Sequence, residues 1–194
     1  MIAYLDGKFV FKSPAMVYVD VNGVGYEVQI SLNTFSKIQN LDKGVLHTSL
    51  LIREDAHILF GFYEKAEKEM FLHLISVSGV GATTARMMLS YMRPEELAKA
   101  IVTGDAHTLE GVKGIGKKTA ERLVLELRDK LAKQPVESNN SPLKYNTLHS
   151  DALNALMALG IARNTADQAI QRVTQSDPSI TSLEDVIKKA LKTL

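Results

Sequence analysis

Residues 111–119 read GVKGIGKKT, a glycine-rich segment followed by two lysines, which is the composition of a phosphate-binding loop. A nucleotide-binding P-loop has the pattern G-x-x-x-x-G-K-[ST], in which the Ser or Thr hydroxyl ligates magnesium. Lys118 occupies that position here, and Thr119 stands where the dinucleotide pattern G-x-G-x-x-G needs its third glycine. The preceding residues 105–110, DAHTLE, have the pattern of a short helical turn capped by Asp105, whereas a P-loop follows a buried strand. The sequence therefore disfavours both nucleotide-binding interpretations.

The same segment occurs twice, at an offset of 35 residues. Residues 77–85, VSGVGATTA, align with residues 112–120, VKGIGKKTA, and the copies share Val, both glycines, Thr and Ala. Each copy predicts a helix, a G-x-G turn and a second helix, which resembles the helix-hairpin-helix motif of DNA-binding proteins. Glycines allow the backbone to approach a phosphate, and the unpaired amides and dipole at a helix start favour an anion there. We expect the apolar residues Val80 and Ile115 to anchor the two turns in the core.

The two copies are unequal, because Ala82 and Thr83 stand where the second copy has Lys117 and Lys118. The first copy therefore offers mainly amides and hydroxyls, and the second adds charge. One alternative is that each G-x-G only ends one helix and starts the next, but the repeat and the lysines favour DNA-backbone binding. The predicted contacts are the glycines, hydroxyls and lysines of both copies: Gly79, Gly81, Thr83, Lys113, Gly114, Gly116, Lys117, Lys118 and Thr119.

The chain before residue 63 has the period of two that is typical of β-strands. Two alternating segments around Val19 and Val28 flank Asn22-Gly23, whose positive φ angles suit a tight hairpin turn. We also predict turns at Asp6-Gly7 and at residues 42–44, and strands over 46–52 and 58–62. Five or six short strands in this length predict a small closed barrel over residues 1–63.

Beyond the barrel the apolar period becomes helical, and several short helices are predicted over residues 64–133, with Pro94 at a first helical position and Gly104 at a helix end. Residues 134–147 contain two prolines and no apolar period, which predicts a flexible linker. Residues 148–194 predict three helices, over 151–159, over 165–173 behind Asn164, and over 183–191 after a capping box at 181–184. A module this short can bury only a small core, and we therefore expect it to dock on a partner.

Composition excludes several classes of function. The chain has no cysteine, which excludes disulfides and thiolate-bound metals, and its five histidines show no metal-binding spacing. No segment has the length and apolarity of a membrane span or a signal peptide, so we expect a cytoplasmic protein without cofactor or metal. The net charge is +1, and only residues 63–133 carry more Lys and Arg than Asp and Glu, twelve against ten. Any attraction to a polyanion must therefore be local.

Three segments give the whole chain a resemblance to the RuvA family of Holliday junction-binding subunits: VNGVGYEV at residues 21–28, REDA at 53–56 and GIGKKTAERL at 114–123. The resemblance implies an OB-fold barrel, tandem helix-hairpin-helix motifs and a UBA-like C-terminal module. It also implies a non-catalytic homotetramer, or an octamer, that binds four-way junctions. The implied partners are the RuvB motor, which hydrolyses ATP for branch migration, and the RuvC resolvase. The chain departs from the family at Ala82-Thr83, where Pro-Lys is frequent, and at Val112-Lys113, where Leu-Pro is usual.

The resemblance also assigns roles outside the repeated motif. Glu54 and Asp55 would form an acidic pin at the centre of the tetramer, although two acids at a hairpin tip are otherwise ordinary solvated residues. The C-terminal module would bind the motor, and Leu156, Leu159 and Ile161 are the candidate exposed contacts. The alternative, that these residues form the module's own core, remains open.

Two other functions remain as alternatives. A DNA-repair glycosylase also uses helix-hairpin-helix motifs, but it needs a lysine or aspartate in a base-sized pocket. Glu126 and Asp129 follow the second motif within its own helix, so the position of neither residue identifies it as a catalytic residue in such a pocket. A single-strand binder would use the barrel, which lacks Trp and shows no basic aromatic face for stacking bases.

Overall fold

The computed structural model of the chain describes residues 1–132, 144–177 and 180–193. The chain divides into two compact units, Met1–Val136 and Glu137–Leu194. Within the described ranges, no helix has the length and apolarity needed to cross a bilayer.

The first unit begins with a closed five-stranded barrel, as the sequence predicted. Its strands follow the order β1-β2-β3-β5-β4 around the barrel, and every pairing is antiparallel except the parallel pairing of β3 with β5. This is an OB-like arrangement, with one helix between the third and fourth strands. The elements are β1 (Tyr4–Ser13), β2 (Met16–Val21), β3 (Val24–Ile30), α1 (Leu32–Ile38), β4 (Lys43–Ile52) and β5 (His57–Phe62).

The predicted hairpin is confirmed at the β2–β3 connection. Asn22 and Gly23 adopt φ angles of 52° and 89°, the pair of positive values that a tight hairpin turn requires. Val17 pairs with Val28 across the two strands, and both side chains are buried in the barrel. The alternation of the sequence therefore fixed which face of this hairpin is internal.

The turn predicted at Asp6-Gly7 is wrong, because both residues lie inside β1. Of the turn predicted at residues 42–44, Lys43 and Gly44 lie in β4 instead, where Gly44 pairs with Gly7. A methyl group on Gly7 would lie 2.3 Å from the backbone oxygen of Asp20. Glycine is needed there for the close approach of two strands and not for a change of direction.

In the described residues of the first unit, five helices follow the barrel and share one hydrophobic core with its end. The Phe71 ring packs against Phe60 and Phe62, with ring centroids 5.1 and 4.9 Å apart. Pro94 begins its helix, and Gly104 ends the same helix with φ of 78°, as predicted. The helices are α2 (Lys65–Ile75), α3 (Ala82–Tyr91), α4 (Pro94–Thr103), α5 (Ala106–Glu110) and α6 (Lys117–Ala132).

Helix α1, which the sequence pattern did not reveal, is tied to α2 by a buried carboxyl group. Glu67 accepts hydrogen bonds from the hydroxyls of Ser31 and Thr34, the latter at 2.7 Å. Ser31 is also the N-cap of α1, and the Thr34 hydroxyl accepts a bond from the Tyr63 amide at 3.0 Å. Burial raises the pKa of Glu67 above its ordinary value, although the two hydroxyls act in the opposite direction.

The described residues of the second unit form three helices, as predicted: α7 (Lys144–Ala158), α8 (Arg163–Ser176) and α9 (Leu183–Thr193). Its core contains aliphatic residues from all three helices, among them Leu153, Leu156, Ile170, Val173 and Val186.

The helix starts in this unit differ from the predicted ones. Helix α7 begins at Lys144 and not at 151, so residues 144–147 of the predicted linker are helical, while residues 134–143 lie outside the described residues. Leu148, which lies before the predicted start, packs against the core of this unit. The N-cap of α8 is Ala162 and not Asn164, since the Ala166 amide bonds to the Ala162 carbonyl at 2.9 Å. The predicted capping box contributes one hydroxyl, because Ser182 Oγ accepts from the Asp185 amide at 3.4 Å.

Candidate nucleic-acid interface

The first G-x-G segment forms a tight turn between α2 and α3. The Val80 amide donates to the Val77 carbonyl at 3.1 Å, and Gly79 adopts φ of 93°. Gly81 is the N-cap of α3 and has no side chain, so among the described residues no side chain caps the first amides of this helix. Those amides are left to bind an anion.

The second segment repeats this geometry between α5 and α6. The Ile115 amide donates to the Val112 carbonyl at 3.0 Å, and Gly114 adopts φ of 95°. Val80 and Ile115 are each only 5% exposed, which confirms that both turns are anchored in the core. Asp105 caps α5 by accepting from the Thr108 amide at 3.1 Å, as predicted, and Gly111 follows that helix without a P-loop strand. The sequence repeat is therefore a structural repeat.

Each turn lies close to the start of the helix that follows the other turn, so that Gly79 is near α6 and Gly114 is near α3. A methyl group on Gly79 would lie 3.9 Å from Thr119 Oγ1, and one on Gly114 would lie 3.9 Å from Thr84 Cγ2. Thr84 and Thr119 are equivalent positions in the two copies, as are the two glycines, so the contact is reciprocal. The two candidate phosphate sites therefore belong to one continuous surface.

The lysines of the second motif are exposed at this surface. Lys117 and Lys118 are the first two residues of α6, and Lys113 precedes Gly114 in the turn. None of the three lysines forms an ion pair within the part of the chain that the structure describes. Thr83 and Gly116 are also exposed, and Thr119 is half-buried between the motifs. All nine residues predicted to bind the DNA backbone thus lie on or beside the two turns.

Arg122 is a residue at this surface that the sequence prediction did not include among the contacts. Its Nη1 atom donates to the backbone oxygen of Ser78 at 3.1 Å, which brings a side chain of α6 to the first turn. The spacing of Arg122 from the lysines indicates only that it lies on α6. The contact with Ser78 depends on the packing of the two motifs, which no local pattern reports.

The connection between β4 and β5 carries the two acids predicted to form a pin. The Arg53 amide donates to the Ala56 carbonyl at 2.8 Å and closes the connection. Glu54 and Asp55 lie at its tip with exposed side chains, and neither forms an ion pair within the described ranges. The structure thus presents two carboxylates to solvent at one end of the barrel.

The three candidate motor contacts occupy different environments. Leu156 is fully buried in the core of the second unit, so it is not an exposed contact. Leu159 is 63% exposed after the end of α7, and Ile161 is partly buried against the core. Met157 is a second exposed apolar residue beside Leu159, which sequence reasoning missed because its position fits a core stripe as well.

No cluster of His, Asp or Glu in the described part of the chain could hold a metal ion.

Comparison with known proteins connects this surface to one family. Three family models match successive parts of the chain: RuvA N terminal domain at residues 1–61, SAM-like helix-hairpin-helix tandem at 71–129, and RuvA C-terminal domain at 147–194. The chain is 46% identical over 197 residues to the Holliday junction branch migration complex subunit RuvA of Cytophaga hutchinsonii, with 99% of both chains covered. It is 45% identical over 194 residues to the protein of the same name from Flavobacterium psychrophilum, with both chains fully covered. For the protein of that name from Laribacter hongkongensis, the identity is 43% over 203 residues, with 100% of this chain and 98% of that one covered.

Proposed function

Because the chain belongs to the RuvA family, we propose that it binds four-way (Holliday) DNA junctions by their backbone and shape, as a subunit of a branch migration complex. The observation that carries this proposal is the reciprocal pair of G-x-G turns in a chain about 45% identical, over its full length, to subunits of that name.

The turns supply the chemistry for a phosphate contact that does not depend on base sequence. Each turn places a glycine where a phosphate approaches, followed by a helix whose first amides and dipole attract an anion. The lysines of the second motif add charge that carries no sequence information. Such contacts make the affinity depend on salt, with about −0.9 in the slope of log affinity against log salt for each neutralised phosphate.

The acidic tip formed by Glu54 and Asp55 would make the protein prefer a four-way junction to a continuous duplex. Like charges 4 Å apart repel by about 1 to 4 kcal/mol, depending on the effective dielectric constant. Carboxylates held at the centre of a tetramer would therefore repel a continuous duplex that crosses it and guide separated strands into the arms. The exposure of both side chains and their lack of ion pairs among the described residues support this role.

The second unit provides the contact with the motor. We propose that it docks on the RuvB ATPase through Leu159 and Met157, which are exposed, with Ile161 at the edge of the patch. The chain itself would hydrolyse nothing, and the motor would consume the ATP. The fourfold symmetry of the junction suits a homotetramer, or two tetramers face to face, in the cytoplasm, with the RuvC resolvase as a further partner.

Competition binding tests this proposal against its alternatives. The full chain should bind a four-way junction more tightly than duplex or single strands of the same sequence, and light scattering should give the mass of a tetramer or octamer on that junction. Equal affinity for junction and duplex would contradict the proposal. Base release from a damaged duplex would support the glycosylase alternative, which the names of the relatives do not favour.

A further inference from the structure

We infer that Arg122, a residue of the second motif, supplies the positive charge with which the first turn holds its phosphate. The inference rests on the proposed function, because it presupposes that both turns bind DNA backbone. It assigns a binding role to a residue outside the first hairpin and therefore makes that hairpin dependent on its neighbour.

The first turn has no positive charge of its own, because Arg86, the basic residue of α3, donates instead to the backbone oxygen of Ala15 and to Gln29 in the barrel. Residues 76–85, SVSGVGATTA, contain neither Lys nor Arg, whereas residues 111–119 contain three lysines. Backbone amides can bind a phosphate oxygen, but they do not neutralise its charge or release a counterion from DNA. The salt-dependent part of binding at the first turn must therefore come from another segment.

The geometry of Arg122 brings such a charge to this turn. Its Nη1 atom lies 3.1 Å from the backbone oxygen of Ser78, the residue before Gly79. Ser78 contributes a neutral carbonyl, so this hydrogen bond fixes the guanidinium without cancelling its charge. The side chain is 51% exposed, and a guanidinium has five N–H donors, so others remain for a phosphate at the turn.

Glu126 does not neutralise this guanidinium. Its Oε1 atom lies 4.0 Å from Arg122 Nε, one helical turn away, and both side chains are largely exposed. Ion pairs of this kind contribute little in water and are screened by salt. A phosphate bound at the first turn would therefore compete only with Glu126, a weak partner, for the guanidinium of Arg122.

Comparison of the two copies supports the assignment. Met87 occupies the position equivalent to Arg122, and its Cε atom would lie 3.8 Å from a methyl group on Gly114. Each motif thus sends one side chain to the other motif's turn. The turn that lacks lysines receives the arginine, and the turn that has them receives the uncharged methionine.

Two substitutions separate the charge of Arg122 from its hydrogen bond. Arg122→Gln removes the charge and keeps an N–H donor for Ser78, whereas Arg122→Lys keeps the charge. The measurement is junction affinity over a range of salt concentrations. We expect Arg122→Gln to flatten the slope of log affinity against log salt by about 0.9 for each subunit bound to the junction, and Arg122→Lys to retain the wild-type slope. A wild-type slope for Arg122→Gln would overturn the inference, and so would a slope for Arg122→Lys as flat as that of the Gln variant.

Arg128→Gln is the matched control, because Arg128 is an exposed arginine on the same helix, in a groove with Gly104 and Ala106. This variant makes the same change of net charge and should keep the wild-type slope, and a flattening as large as that of Arg122→Gln would overturn the local assignment. Unfolding midpoints of all the variants should match that of the wild type.

Lys117→Gln distinguishes a failure of this inference from a failure of the proposed phosphate contacts. A flattened slope for Lys117→Gln with no change for Arg122→Gln overturns this inference alone, whereas no change for either variant overturns the proposed phosphate contacts as well.

Discussion

The Thr34 hydroxyl donates to Glu67 Oε2 at 2.7 Å inside the first unit, and this bond joins the helix of the barrel to the first helix that follows it. Glu67 is a buried carboxyl group whose pKa is raised, chiefly by desolvation, with smaller contributions from Glu64 and Glu95. Ser31 and Thr34 face it from α1 and oppose the shift without reversing it. The bond is therefore sensitive to protonation.

A raised pKa in the folded state means that folding favours the protonated acid. The stability that Glu67 contributes should be fully present below its unfolded pKa, near 4.5, and lost as pH rises through the higher folded pKa. Relative to Glu67→Gln, the wild type should thus lose stability as pH increases across this window. Urea unfolding at several pH values measures the free energy of unfolding of the wild type minus that of Glu67→Gln, and a rise of this quantity with pH would contradict the prediction. Glu69→Gln, at an exposed position of the same helix, controls for the substitution itself.

Gly114→Ala should destabilise the first unit by about 1 to 2 kcal/mol, because an L-residue at φ of 95° is strained. Gly81→Ala should leave the unfolding midpoint unchanged, since φ is −81° and no atom lies within 4 Å of the added methyl group. If Gly81 is where a phosphate approaches, its alanine variant should nevertheless bind the junction more weakly. Chemical unfolding and junction titration together check both variants. Wild-type affinity for Gly81→Ala would argue against a phosphate contact at the first turn.

Replacing Lys117 and Lys118 together with Gln should flatten the salt slope by about 1.8 for each bound subunit and weaken binding to all sequences alike. The physical reason is that, under the proposed function, both lysines would neutralise phosphates and contact no base. The measurement is a salt titration repeated with two junctions of unrelated sequence. A loss confined to one sequence would point to base contacts instead.

Replacing Glu54 with Gln and Asp55 with Asn should strengthen binding to plain duplex, because the repulsion of about 1 to 4 kcal/mol per close phosphate disappears. Folding should be unaffected, since both side chains are exposed. A gel shift with duplex DNA measures the effect. Unchanged affinity for duplex would remove the support for the pin.

Leu159→Asp should abolish binding of the second unit to the motor without lowering its stability, because Leu159 is exposed. Leu156→Ala should destabilise the same unit by about 2 to 5 kcal/mol, as removal of buried methyl groups leaves a cavity. Thermal unfolding and a binding assay with RuvB separate the two effects. If Leu159→Asp binds the motor as strongly as the wild type, the contact lies elsewhere on the module.

The sequence predicted those parts of the fold that depend on local patterns. The Asn22-Gly23 hairpin, the Asp105 cap and the ends of α4 follow from residue types whose backbone preferences are strong. The repeat at an offset of 35 residues identified both turns, because the same local interactions form each of them.

The features that the sequence missed depend on contacts between distant segments. Gly7 resembles a turn residue until β2 comes close to it, and α1 is held by Glu67, more than thirty residues away. The same holds for Arg122, whose contact with Ser78 spans 44 positions. Leu156 and Leu159 are three residues apart in the same apolar pattern, and only the packing of three helices distinguishes the buried one.

The reciprocal contact of Gly79 with Thr119 and of Gly114 with Thr84 restricts how the two copies can diverge. A larger side chain at Thr84 or Thr119 would collide with the turn of the other copy. The structure of one copy therefore limits which substitutions the other copy can accept. The positions that face across the pair should therefore change together or stay small through evolution. The residues that face outward, such as 83 and 118, are free to differ, and in this chain they do.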